Sequence, residues 1–216
     1  MPIVRTPHGQ AKPMKGIIFF IAALVLLVVF LRIVGLVTDW FWFQEVGQQS
    51  VFTVSLLAKI KTGLVFGAGF FIILVGNLLI AFGLSRNPLY YDQAGAAPFA
   101  GFLREMEPQA LKAMIIVGSL VASLFAGTSA AAQWEHLLLF LNPTPFGVSD
   151  PLFGQDIGFY VFQLPFLLFL SGWLKFVILV TAAATGFVYL LRRSFLFIPP
   201  QIFRVSPSAR RHLAIL

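Results

Sequence analysis

The sequence predicts an all-α membrane protein of about four transmembrane helices, with interfacial helical segments and one outward loop punctuated by Pro and Gly. Of its 216 residues 59% are hydrophobic and 11% charged, with a mean hydropathy of +0.91, far from the usual globular mix. Four apolar runs reach the ~20 residues a helix needs to cross the hydrocarbon. None of the four contains Pro, and the alternating pattern of a membrane β-barrel is missing.

The expected spans are residues 16–37, 62–83, 110–132 and 172–191, within a module covering 16–191. Basic residues set their direction. Arg5, Lys12 and Lys15 precede the first span, Arg86, Arg104 and Lys112 lie in or beside the loop 84–109, and Arg192, Arg193, Arg204, Arg210 and Arg211 follow the fourth. The loops 38–61 and 133–171 instead hold Asp39, Glu45, Glu135, Asp150 and Asp156, with Lys59 and Lys61 as the only nearby bases. This asymmetry places the tail 1–15, the loop 84–109 and the tail 192–216 in the cytoplasm, and the other two loops on the outward side. The formal charge of +7 is then a topology signal and not a nucleic-acid footprint.

The first span is too long for a cleaved signal and passes directly into Asp39-Trp40-Phe41-Trp42-Phe43, an aromatic cluster suited to the membrane boundary. Residues 44–61 mix apolar positions with Gln48, Gln49, Lys59 and Lys61, the pattern of an interfacial helix ahead of the second span. Gly63 and Gly67 are spaced for close helix approach, and Ser119, Ser123 and Gly127 repeat that spacing on the third span, with an intramolecular partner expected. Arg32 and Lys175 lie near span ends, where they can snorkel; Arg32 can also pair with Asp39. Asn77 alone is mid-membrane, where an interhelical hydrogen bond contributes about 0.6–2 kcal/mol. Residues 159–171 are interrupted by Pro165 and Gly172, which leaves an interfacial or re-entrant piece and one long tilted helix as alternatives. The segment 195–200 is expected along the cytoplasmic face, and an apolar run beginning near Leu213 marks the start of a further span.

Chemistry is sparse. Cysteine is absent, which excludes thiol redox chemistry and Cys-based metal sites. Asp150 and Asp156 offer oxygen ligands for a cation, but their spacing does not match an EF-hand, and Asp before Pro151 and before Ile157-Gly158 reads more simply as turn capping. The same pair, with Glu135 and His136, is the thin basis for a membrane-surface enzyme. His136 faces outward while His8 and His212 lie on the cytoplasmic side, so no His cluster forms. No cofactor is expected. Trp40, Trp42, Trp134, Tyr160 and Trp173 form an outer aromatic belt.

The string Asp150-Pro151-Leu152-Phe153-Gly154, followed by Asp156-Ile157-Gly158-Phe159-Tyr160-Val161-Phe162-Gln163-Leu164-Pro165-Phe166, resembles the signature of a bacterial uncharacterised protein family, number 182 of the UPF series, of large multi-pass membrane proteins. Asp39 to Glu45, Val51-Phe52 and Ala209 to Leu213 resemble further parts of it. The resemblance implies about seven membrane helices ahead of a large extracytoplasmic domain, and no established activity, cofactor or catalytic residue. The chain ends after four spans, so it is expected to be an N-terminal piece. The expected function is a membrane-anchoring and helix-packing module, with the lipid bilayer and further transmembrane helices of the same or an adjacent chain as partners. The alternative is a channel or transporter subunit completed by further helices.

Overall fold

The computed structural model describes residues 14–85, 107–192, 195–198 and 202–216. Residues 1–13 of the expected tail, 86–106 of the expected cytoplasmic loop with Arg86 and Arg104, and Arg193 lie outside the described residues. The elements are α1 (Met14–Glu45), α2 (Gln49–Leu84), α3 (Pro108–Ala131), α4 (Trp134–Leu141), a π-helical turn (Phe159–Gln163) leading into α5 (Leu164–Leu191), β1 (Phe195–Ile198), β2 (Ile202–Val205) and α6 (Pro207–Ile215). Among the described residues four helices are long and apolar enough to cross a membrane. Among the same residues the fold is all-α apart from one antiparallel ribbon.

The chain divides into two compact units, Met1–Val54 and Ser55–Leu216. In the first, α1 runs for 32 residues and is apolar on every face, and its large side chains from Phe19 to Trp42 are exposed. Lipid satisfies such a surface and water does not. Arg32 and Asp39 do not pair within it. The helix ends in a Schellman motif: Gly47 has φ 69°, its N–H donates to the Gln44 carbonyl at 3.1 Å, and the Gln48 N–H donates to the Phe43 carbonyl at 2.8 Å. The free carbonyls of the last turn are thus satisfied within three residues. Phe52 then packs against Trp40 and Phe43, with ring centroids 5.6 Å apart in both pairs.

The expected loop 38–61 is therefore nearly all helix. α1 continues to Glu45, and α2 starts at Gln49 and runs unbroken for 36 residues. Gln and Lys are good helix formers, so the polar residues of this segment do not interrupt it.

In the second unit α2 meets α3 backbone to backbone. A Cβ added to Gly127 would stand 2.7 Å from the Gly63 oxygen, one on Gly63 3.1 Å from the Gly127 oxygen, and one on Gly67 3.1 Å from the Ser123 oxygen. Ser119, Ser123, Ala126, Gly127 and Ala130 are the buried stripe of α3. Rings from α5 fill the wider side of the bundle: Phe66 lies 6.4 Å from Phe166, 5.1 Å from Phe169 and 5.0 Å from Trp173 between centroids. Phe70, Leu74, Leu78, Ala126 and Val177 form the adjoining core. The buried face of α5 recurs every four residues through Val177, Thr181, Thr185 and Tyr189, while Val65, Ile72, Phe125 and Leu179 point outward and are exposed.

α5 begins well before Gly172. Pro165 sits in its first turn, where a missing N–H costs little, and the Leu164 N–H closes the π turn onto the Phe159 carbonyl. The wider spacing absorbs the gap that Pro165 imposes on the ladder. Residues 159–171 are continuous with 172–191, and Gly172 does not break the helix; a lone Gly costs only about 1 kcal/mol there. Within the expected loop 133–171, α4 packs Phe140 on Phe166 at 4.8 Å, and Lys59 lies 5.3 Å from the Trp134 ring centre. The tail segment from Phe195 pairs as a ribbon, Phe195 opposite Val205 and Ile198 opposite Ile202, in keeping with its aromatic and β-branched content.

Replacing Gly127 with Val should destabilise the bundle by about 1–3 kcal/mol, the usual cost of overpacking. Gly76→Ala, where an added Cβ meets nothing within 4 Å, should be neutral or stabilising. Denaturant titration in bicelles, followed by Trp fluorescence, separates the two.

Candidate functional site

Residues 142–158 fold around one carboxylate. Asp156 accepts the N–H groups of Phe146 at 3.0 Å, Gly147 at 2.8 Å and Gly158 at 2.7 Å. Ser149 and Asp156 form an antiparallel bridge, flanked by Asp150 N–H to the Gln155 carbonyl at 2.7 Å and Ile157 N–H to the Val148 carbonyl at 3.0 Å. Inside this bridge Asp150 makes a smaller turn: its Oδ2 accepts the Phe153 N–H at 2.7 Å and its carbonyl the Gly154 N–H at 2.9 Å. Pro151 presets the turn, and Gly154 takes the left-handed φ of 67°. Leu152 and Phe153 are left exposed at its tip.

The loop is tied to the helix that follows it. The Tyr160 hydroxyl donates to Asp150 Oδ2 at 3.2 Å, and Phe146 stacks on Phe162 at 5.8 Å. Phe159 lies edge-on to Tyr160 at 5.3 Å, and Leu164 and Pro165 open α5. A Cβ on Gly158 would stand 2.5 Å from the Thr144 oxygen, so only glycine fits.

The Phe146 amide, then that of Gly158, hold the Asp156 carboxyl below the ordinary value; desolvation opposes them and the Gly147 amide assists. Such a carboxylate is engaged on both oxygens by backbone donors. Among the described residues no three His, Asp or Glu side chains gather as a metal-binding group. His136 is 2.8 Å from Gln133 Oε1 on its own segment, away from both aspartates.

A second polar centre joins three helices. Asn77 Nδ2 donates to the Ile73 carbonyl at 2.7 Å, which leaves its Oδ1 facing His212 Nε2 at 3.1 Å. The Tyr189 hydroxyl is 2.8 Å from His212 Nδ1. With the Asn77 amide oxygen as acceptor, His212 Nε2 carries the hydrogen of that bond. Ala81, Tyr189 and Ala209 are fully buried around it. Asn77 thus bonds a short helix from the expected tail, 135 residues away in sequence, and not a neighbouring long span. Neither Tyr189 nor His212 stands out locally: Tyr189 lies in an apolar run. The available signal was the i, i+3, i+4 spacing of Ala209, His212 and Leu213 behind Ser206-Pro207, where Ser206 Oγ accepts the Ala209 N–H at 3.3 Å.

Other polar groups are buried without a partner among the described residues: the hydroxyls of Thr62, Ser119, Thr181 and Thr185 and the indole nitrogen of Trp173. A groove of about 430 Å³ runs between α3 and α5, walled by Phe125, Phe169, Trp173 and Phe176.

Long helices with exposed apolar outer faces define a helical membrane protein. The profile of the Uncharacterised protein family (UPF0182) matches residues 16–216, and the chain belongs to that family. It is 40% identical over 182 residues to a UPF0182 protein of Trichlorobacter lovleyi, covering 83% of this chain and 20% of that protein. To relatives in Geobacter sulfurreducens and an Arthrobacter species it is 37% and 34% identical, covering 94% and 99% of this chain but 23% and 21% of theirs. The chain spans about a fifth of the length of these relatives. No solved structure matches it.

Asp156→Ala should speed amide exchange at Phe146, Gly147 and Gly158 roughly tenfold or more, as three charge-assisted bonds are lost. Because the folded carboxyl titrates below the ordinary value of 3.8, its contribution is complete above that pH. It is lost as pH falls through the lower folded value. Exchange at these amides, corrected for intrinsic rates, should therefore stay slow at pH 5 and rise steeply only below pH ~4.

Proposed function

We propose that the chain is the N-terminal membrane-anchoring and helix-packing module of a longer multi-pass protein of the bacterial inner membrane. Its N- and C-terminal segments lie in the cytoplasm and the Asp156 loop outside. The observation that supports this best is the backbone contact of α2 with α3 at Gly63, Gly67 and Gly127 inside a unit whose outer faces stay apolar. Such a module associates by close packing in lipid and holds the segments joined to it at fixed positions. The orientation rests on the Lys and Arg asymmetry of the sequence.

The buried unpartnered hydroxyls of Ser119, Thr181 and Thr185 favour a second reading, a transporter or channel subunit with a polar path between α3 and α5. Flux through the reconstituted whole protein that disappears in Thr185→Val at unchanged abundance would establish it over the anchor.

Leu152→Cys should react with a membrane-impermeant maleimide in intact cells, and Ser208→Cys only after lysis. The reverse pattern would overturn the orientation. Release of the protein by alkaline carbonate would overturn its embedding.

A further inference from the structure

Between Asp156 and Leu216 there is no acidic residue, whereas Arg192, Arg193, Arg204, Arg210 and Arg211 all lie in that stretch. α6 carries two of these arginines, and its rotation is fixed from the opposite side. Ala209 is fully buried with Ala81 and Tyr189, Leu213 packs on the same cluster, and His212 bonds Asn77 and Tyr189. These contacts turn Arg210 and Arg211 outward, and both are exposed. Arg211 uses only its Nε, on the Pro207 carbonyl at 3.3 Å, and Arg210 has no side-chain partner among the described residues.

The depth of α6 is fixed as well. Ala81 lies within the last turn of α2, which ends at Leu84, and Tyr189 lies close to the end of α5 at Leu191. At 1.5 Å per residue Ala81 and Tyr189 are within ~5 Å of both helix ends, and Asn77, bonded by His212, is about 10 Å inside the end of α2. For helices that span a bilayer, the helix ends are where hydrocarbon gives way to headgroups, and the long arginine side chains of α6 can reach them from this depth.

We propose that Arg210 and Arg211 of α6 form a binding face for the phosphates of anionic phospholipid headgroups. The inference rests on the membrane reading of α2 and α5 given above. A planar guanidinium engages phosphate oxygens through two parallel N–H donors, and two such groups with no carboxylate nearby in sequence attract anionic lipid over zwitterionic lipid. Arg192, whose guanidinium lies 4.5 Å from the Phe82 ring centre, adds positive charge at the same helix ends. The bonds of His212 give the face its direction: without them α6 keeps its arginines but loses the rotation that aims them outward.

The test uses the full-length protein in nanodiscs of mixed phosphatidylglycerol and phosphatidylcholine, with native mass spectrometry counting the lipids retained on release. Phosphatidylglycerol should be enriched, and Arg210→Gln and Arg211→Gln should each lower the enrichment about fivefold, the fold-change of ~1 kcal/mol per basic residue. His212→Ala should lower it with both arginines present. Lys59→Gln, at the other end of α2, should leave it unchanged. An Arg210→Gln, Arg211→Gln double variant that keeps the wild-type enrichment and helicity overturns the proposal. So does wild-type enrichment abolished by millimolar inorganic phosphate, since the site would then bind free anions. Failure of the protein to enter nanodiscs at all would instead refute the membrane reading itself.

Discussion

An apolar surrounding donates and accepts no hydrogen bonds, so each backbone N–H and C=O of the membrane-spanning helices has to be satisfied from within. That constraint explains features that otherwise look unrelated. α1 closes on a Schellman turn because the carbonyls of Phe43 and Gln44 would otherwise lack donors. The π turn before Pro165 exists because proline removes a donor where the helix must continue. The loop 142–158 lies between the spans and is free of that constraint, yet there too Asp156 accepts three backbone amides. A single side chain there does what a strand partner does elsewhere.

Once the backbone is closed, the helices associate by how near they can come, since lipid is as apolar as leucine. Two solutions stand side by side. Along α3 the glycines remove side chains and let main chains touch. Along α5 the distance is larger, and Phe66, Phe166, Phe169 and Trp173 fill it edge to face, where aromatic pairs gain about 0.5–1.5 kcal/mol beyond their buried area. α2 has to serve both neighbours, with small residues at positions 63 and 67 and rings at 66 and 70.

What could be read from the sequence follows from the range of the interactions. Apolar run length gave the four long helices, because a helix satisfies its backbone locally and needs only composition. The Gly63, Gly67 and Gly127 spacing was legible for the same reason, although the partner had to be seen to be known. Helix ends were less legible: 44–61 was expected as an interfacial helix ahead of the second span, and 159–171 stood between an interfacial or re-entrant piece and one long helix; both are continuous with the long helices, since Gln, Lys and a first-turn Pro are compatible with helix. The residues of the Asp150 to Pro165 string were recognisable as a set. Their pairing was not, because Asp156 reaches back to Phe146 and Asp150 forward to Tyr160, contacts set by the path of the loop. The joining of Asn77 to His212 lay furthest from view, for the two are 135 positions apart and nothing between them encodes it locally.

The Asn77, His212 and Tyr189 centre shows why a polar group is tolerated in so apolar a chain. Interhelical hydrogen bonds of this kind contribute only about 0.6–2 kcal/mol, less than burial of a large side chain, so adhesion alone does not account for them. Apolar contact is non-directional: Ala209 offers a methyl group to Ala81 and Tyr189, and a methyl fits many rotations. Two hydrogen bonds through opposite nitrogens of one imidazole fit few. They specify which face of α6 looks inward and therefore which looks out, so the cost of desolvating Asn77 and His212 is offset by orientation more than by stability. Ser206 fixes where the helix starts and the imidazole fixes how it is turned. Residues Pro207–Ile215 thereby acquire a single position against two long helices.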